Sequence, residues 1–195
     1  MSDHRYESAL AGDMIATWRA VFERQRAFAE HAFGQLSDEQ FFAVLAPGLN
    51  SVAVITRHLG GNMLSRWVDF LTTDGEKESR DRDAELEPFP AEMTAEQRAT
   101  ERAQVMDLWS SGWSAAFAAL DGLTNADLGR QVTIRGVPHA VHAAIARQLD
   151  HYAFHVGQIN IIARQLVGTT SWKWFTLPPG TTSEFIARLR AKHDG

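Results

Sequence analysis

Two histidines four residues apart are the side chains in this sequence best suited to bind a metal ion. His151 and His155 lie in the segment DHYAFHVGQI, residues 150–159. Positions four apart on an α-helix differ by only about 40° around its axis, so both imidazoles project from one face. Their Cβ atoms then lie about 5–6 Å apart, which lets two ring nitrogens reach one cation. The spacing alone leaves two alternatives open, a metal site and a pair of structural histidines.

A metal site needs a third ligand from another helix, and His58 is the candidate. It lies in the second turn of a predicted helix, three residues after Ile55 and next to Leu59, at the edge of the apolar stripe. A helix-face histidine bonded to a backbone group or to water is the alternative interpretation. His142 precedes His151 by nine residues, which is half a turn around the helix, so it is predicted to face away.

Four polar residues close in sequence to these histidines are candidates to orient them. Metal-bound imidazoles usually donate their second N–H to such a group. The candidates are Asn62, Asp150, Tyr152 and Gln158. Asp150 and Gln158 fit ordinary helix-surface positions equally well. No residue is identified from the sequence as a general acid or base.

Composition excludes several classes of function. The chain has 195 residues, no cysteine, eight histidines and a net charge of −5. Disulfides, thiolate metal sites and cysteine nucleophiles are therefore excluded, and a nucleic-acid partner is disfavoured. Phosphate-binding glycine loops, H-E-x-x-H and G-x-S-x-G are all missing. No apolar run of membrane-spanning length and no signal peptide is recognisable, so we expect a cytoplasmic protein without a membrane partner.

Hydrophobic periodicity predicts four long helices that position the histidines. They run from about Glu7 to Leu36, from Asn50 or Ser51 to Leu71, from Thr94 to about Leu120 and from about His139 to Val167. Capping boxes begin at Ser37 and at Thr94, a small hairpin or an extended excursion is predicted over 131–138, and a short last helix starts at Thr181 or Thr182. The prediction is an all-α four-helix bundle forming one domain over residues 1–195.

Two segments outside the long helices have unusual composition. Residues 74–87 are mostly charged within a predicted loop over 72–90, which is either a solvated connection or a functional segment. The tail, residues 169–195, contains the aromatic run SWKWF at 171–175. So much apolar area must be buried, either on the chain's own bundle or on a second subunit. We predict a homodimer, without assigning the tail to its interface.

Several segments resemble one family over almost the whole chain. NSVAVITRHL at 50–59, GNM at 61–63, DGEK at 74–77 and the segment 151–159 resemble the DinB/YfiT-like superfamily of metalloenzymes, in particular an uncharacterised bacterial branch. The resemblance implies a four-helix bundle that binds one divalent transition metal per chain, most often nickel or zinc. Carried over residue by residue, the metal ligands are His58, His151 and His155.

The resemblance also implies a class of reaction. Three histidines leave a coordination position open, as in catalytic metal sites. Relatives include mycothiol-dependent maleylpyruvate isomerase and bacillithiol transferases, which use a low-molecular-weight thiol as cosubstrate. We therefore expect a metal-dependent transferase or hydrolase acting on a small molecule, with such a thiol as a candidate cosubstrate. The alternative is a non-catalytic metal-binding or stress-associated helical-bundle protein.

Overall fold

Helices make up most of the chain in the computed structural model, which describes residues 13–193. The helices are α1 Met14–Phe33, α2 Asp38–Phe42, α3 Val52–Trp67, α4 Arg82–Leu86, α5 Ala95–Asp121, α6 Val141–Val167 and α7 Thr182–His193. Strands β1 Gln131–Ile134 and β2 Val137–Ala140 form an antiparallel hairpin. The predicted helical fold class is confirmed. Among the described helices, none combines the length and apolar character needed to cross a membrane.

Local capping explains where several helices begin. Ser37 caps α2 and Thr94 caps α5, and in each case the Gln three residues later bonds back to the cap, so both predicted capping boxes are confirmed. Asp13 caps α1 through a hydrogen bond from the Ala16 N–H. The part of the predicted first helix at residues 7–12 lies outside the described residues.

The four long helices share one core. Helix α3 packs most extensively on α5, and α1 packs on α6. Four buried rings meet at the centre, with Phe22 contacting Trp67, Trp113 and Tyr152 at centroid distances of 5.6–6.1 Å. Close approach of α3 and α5 depends on Gly112, where an added Cβ would lie 2.9 Å from the Cβ of Met63. This crossing holds α3 rigidly against the core.

The end of α3 differs from the prediction. The apolar spacing continues to Leu71, but the helix stops at Trp67. Val68 is extended, and Asp69 adopts a left-handed conformation with φ 51°, which an aspartate tolerates better than most residues. Phe70 then packs on Trp67 from the turn, at a centroid distance of 5.0 Å. Periodicity overestimated the length of this helix, because apolar residues in the turn that follows it make the same kind of core contacts as helical residues would.

The charged segment 74–87 is ordered by specific contacts, and its interpretation as a solvated connection is wrong at several positions. Asp74 accepts hydrogen bonds from the N–H groups of Arg135 and Gly136 in the hairpin turn, at 2.8 and 2.7 Å. The side chains of Arg80 and Glu85 are only 4% and 10% exposed. The segment therefore carries a short helix, α4, against the side of α3.

The aromatic tail folds onto its own chain. Trp172 is buried in the core, and Phe175 packs on Phe28 of α1 at a centroid distance of 4.4 Å. His31 donates a hydrogen bond from Nε2 to the Lys173 carbonyl at 2.6 Å. Residues 172–175 thus pack on helices of their own chain. The homodimer stays a prediction, and so does the single domain.

Candidate metal centre

Three imidazoles converge between α3 and α6. Each of His58, His151 and His155 offers one ring nitrogen, and these three atoms lie within 4.8 Å of one another. Nε2 of His58 is 3.4 Å from Nε2 of His151, and the rings of His151 and His155 are 4.7 Å apart between centroids. The four-residue spacing on α6 places two rings on one face, and the packing of α3 beside α6 adds the third.

The nitrogen separation matches the needs of a metal ion. Two nitrogens bound at about 2.0–2.1 Å to a tetrahedral ion are separated by about 3.3–3.4 Å. The distance between the His58 and His151 nitrogens agrees with this value. Imidazole nitrogens also suit zinc and nickel better than they suit hard cations such as magnesium. The separation of one nitrogen pair and the chemistry of all three donors therefore fit a divalent transition metal.

Burial keeps the α6 histidines neutral. Loss of solvation lowers the pKa of His151 to about 3, with smaller effects from His155 and His58. Burial likewise lowers the pKa of His155, although its hydrogen bond with Gln158 opposes the change. Neutral imidazoles have a free lone pair at neutral pH, and metal ligation requires that lone pair.

Glu85 orients His58. Glu85 was not identified from the sequence as a candidate. Nδ1 of His58 donates a hydrogen bond to Oε2 of Glu85 at 3.1 Å, and Nε2 of the same ring is directed towards His151. Burial acts to raise the pKa of Glu85, but hydrogen bonds from Arg80 and His58 outweigh it and the net pKa lies below the usual value. The carboxylate is therefore a permanent acceptor, as in the carboxylate–histidine pairs of metal proteins.

A network of charged side chains holds Glu85 in place. Arg80 donates to both carboxylate oxygens of Glu85, from Nε at 2.8 Å and from Nη2 at 2.7 Å. Glu76 accepts hydrogen bonds from Arg80 and Arg66. Gly61 on α3 provides the space, because an added Cβ there would lie 2.1 Å from Oε1 of Glu85. A glutamate in this mostly charged segment carries no local sequence signal for such a role.

One of the four predicted orienting residues, Gln158, forms a hydrogen bond with a histidine of the cluster. Gln158 accepts a hydrogen bond from Nδ1 of His155 at 2.8 Å, which orients this ring as Glu85 orients His58. The Tyr152 hydroxyl instead accepts from Trp67 at 2.9 Å and donates to Asn62 at 3.3 Å. Burial raises the pKa of Tyr152, so the phenol stays protonated and structural. Asp150 is exposed.

His142 lies outside the cluster, as predicted. It is exposed, and its Nδ1 donates to the Leu128 carbonyl at 3.0 Å. His151 differs from the other two members of the cluster, because its buried Nδ1 has no hydrogen-bond partner within residues 13–193. Two of the three candidate ligands are therefore held by a second hydrogen bond, and the third is held by packing.

The cluster is accessible on one side. His58 is only 4% exposed, whereas His151 and His155 are half-buried. A cavity of about 660 Å³ is lined in part by Glu85, Gly61 and Arg80, and none of the three histidines is among its described lining residues. The histidines are thus only partly closed off from solvent, through His151 and His155.

Comparison with known proteins assigns the chain to a family without naming an activity. No curated protein and no solved structure is found to match it. One family model, described as a protein of unknown function (DUF1572), matches residues 9–181. This match covers the four long helices, the charged segment and all three converging histidines. The chain therefore belongs to the DUF1572 family.

Proposed function

We propose that this protein is a metal-dependent enzyme that acts on a small molecule through His58, His151 and His155. The observation that carries the proposal is the convergence of three imidazole nitrogens within 4.8 Å. Two of the rings are fixed by Glu85 and Gln158. Such orientation by a second hydrogen bond is typical of metal ligands.

The proposal includes a relationship to the DinB/YfiT-like four-helix bundles. Four long helices around one core support it, as does the distribution of the histidines, one on α3 and an H-x-x-x-H pair on α6. The family model alone does not establish this relationship. Sequence segments that resemble this superfamily lie in the two helices that carry the histidines, and this agreement supports the relationship.

The proposed cofactor is one divalent transition metal per chain, with nickel or zinc as the candidates. Held by three neutral imidazoles, such an ion keeps its full charge and acts as a Lewis acid that lowers the pKa of water or a thiol. The chain itself contributes the orientation of the donors. Glu85 binds Nδ1 of His58 and so orients the ring, and the low pKa of His151, caused mainly by burial, keeps its ring unprotonated.

The proposed substrate is a small molecule, with a low-molecular-weight thiol as candidate cosubstrate. The half-buried rings of His151 and His155 support access of a small ligand to the site. Because the chain has no cysteine, a thiol must come from solution. The reaction is then a transfer or a hydrolysis.

We also propose a homodimer. Phe154 and Ile161 on α6 are 62% and 66% exposed, and their seven-residue spacing puts them on one face. Exposed large apolar side chains on one helix face favour an interface between subunits. Light scattering at micromolar concentration tests this point, and a monomer mass would refute it.

Elemental analysis of the purified protein tests the metal site. We expect about one transition-metal ion per chain in the wild type, and loss of that ion when all three histidines are replaced by alanine. His142→Ala is the matched control, because this exposed histidine lies on the same helix outside the cluster. Full occupancy in the triple variant would refute the assignment.

Catalysis is tested separately by screening for adducts between cellular thiols and simple electrophiles. Mycothiol, bacillithiol and glutathione are the thiols to compare. Turnover that requires both the metal and the three histidines supports the enzyme. Tight metal binding without turnover would favour the non-catalytic alternative, and turnover that survives chelation would place the chemistry elsewhere.

A further inference from the structure

A second cavity lies away from the histidines. It has a volume of about 320 Å³ and opens between α1, α6 and the C-terminal tail. Asn160 in its wall follows His151 by nine residues, which is half a turn around α6, so the cavity and the histidines lie on opposite faces of this helix. Its volume is at the lower end of the range for small-molecule sites, about 300–1,000 Å³.

Aromatic rings form much of this cavity. Phe28 from α1 and Phe175 from the tail are in contact, with ring centroids 4.4 Å apart. Trp172 and Trp174 complete the tail side of the wall. Aromatic pairs favour edge-to-face and offset contacts, so a flat aromatic ring is the apolar group that this wall suits best.

Among the described residues that line the cavity, Arg164 is the only charged one. Its guanidinium carbon lies 4.4 Å from the centroid of the Trp174 ring. Its Nε is buried and has no hydrogen-bond partner in the described part of the chain. Arg164 nevertheless lines the cavity, so its guanidinium offers a positive charge with which a ligand carboxylate can pair.

We propose that this cavity binds a small aromatic monocarboxylate. The ring lies among Phe28, Trp174 and Phe175, and the carboxylate pairs with the planar guanidinium of Arg164. The net charge of the chain is −5, which opposes non-specific attraction of an anion. The site is independent of the proposed metal function.

Calorimetric titration with cinnamate and its neutral amide, cinnamamide, tests the proposal. Both probes have the same ring, and only cinnamate carries the charge. The protein is first freed of metal with a chelator, because a carboxylate can also bind a metal ion. We expect cinnamate to bind about ten- to a hundred-fold more tightly than the amide, the factor that corresponds to a hydrogen bond with a charged group.

Variants then locate the carboxylate. Arg164→Gln is expected to remove the preference for cinnamate and leave binding of the amide unchanged. Arg164→Lys keeps the charge without the planar fork, so part of the preference remains. Arg147→Gln is the control, because this arginine is exposed on the same helix outside the cavity. Thermal unfolding checks that each variant is folded.

Three results would overturn the proposal. Equal affinity for the two probes would show that Arg164 does not select a charge. A preference that survives in Arg164→Gln would place the carboxylate elsewhere. Failure of both probes at concentrations where light scattering gives a dimer mass would show that a second copy of the chain covers the cavity. The titration uses metal-free protein. All these outcomes can therefore be interpreted whether or not the protein has the proposed metal function.

Discussion

One methyl group added at Gly61 tests how the metal centre is built. In Gly61→Ala the new Cβ would lie 2.1 Å from Oε1 and 2.6 Å from Cδ of Glu85. Non-bonded heavy atoms need about 3.5–4.0 Å, so the carboxylate must withdraw by about an ångström or more. The hydrogen bond from His58, now 3.1 Å long, cannot survive a displacement of that size away from α3.

The expected effect is on metal affinity rather than on folding. Loss of the group that orients a metal-bound imidazole typically costs about 10- to 100-fold in affinity, which is about 1.4–2.7 kcal/mol. Replacement of glycine by alanine inside a helix by itself stabilises it by about 0.5–1 kcal/mol. A variant that is folded and nevertheless binds metal weakly is therefore the specific expectation.

Competition with a chromophoric chelator, using zinc and cobalt, measures the change. Gly157→Ala is the matched control, because this helical glycine lies two residues after His155 and an added Cβ there has no atom within 4 Å. Its metal affinity should equal that of the wild type. An unchanged affinity in Gly61→Ala, with the helix content intact, would refute the role given to Glu85.

A double-mutant cycle separates displacement of Glu85 from any other effect of the methyl group. Glu85→Ala alone should weaken metal binding by the same 10- to 100-fold, because His58 loses the same acceptor. In that background the side chain that clashes is gone, so adding Gly61→Ala should cost nothing further. Additive losses would show that Gly61 acts through the backbone of α3 instead.

Three further predictions concern stability. Chiefly because of burial, the pKa of His151 falls from 6.5 to about 3. Between these values the unfolded chain binds a proton that the folded chain does not, so the metal-free protein should lose unfolding free energy as the pH falls. Urea titrations across this range measure it, and an unchanged slope in His151→Ala would contradict it. Asp74→Ala removes the acceptor for two N–H groups in the hairpin turn and should cost about 1–3 kcal/mol; a matching loss in the exposed control Asp83→Ala would argue against a specific role. Trp172→Ala should cost about 3–5 kcal/mol without changing the mass measured by light scattering, since Trp172 is buried on its own chain; a change in mass would place the tail at an interface.

The sequence by itself determined the features that depend on neighbours a few residues away. Helix periodicity puts His151 and His155 on one face whatever surrounds them, because the rotation per residue is a property of the backbone. The capping boxes at Ser37 and Thr94 are equally local, since each joins residues three apart. The hairpin also follows from a short turn, in which Arg135 and Gly136 both have positive φ.

Tertiary structure alone decided which distant groups meet. Glu85 lies 27 residues after His58 in a segment whose composition is typical of a solvated loop. It is buried there because Arg80 neutralises it and Gly61 leaves room for it. A glutamate on the surface and a glutamate buried beside an arginine have the same local sequence pattern. The contacts that favour burial are made by residues far apart in the chain, so local pattern carries no information about them.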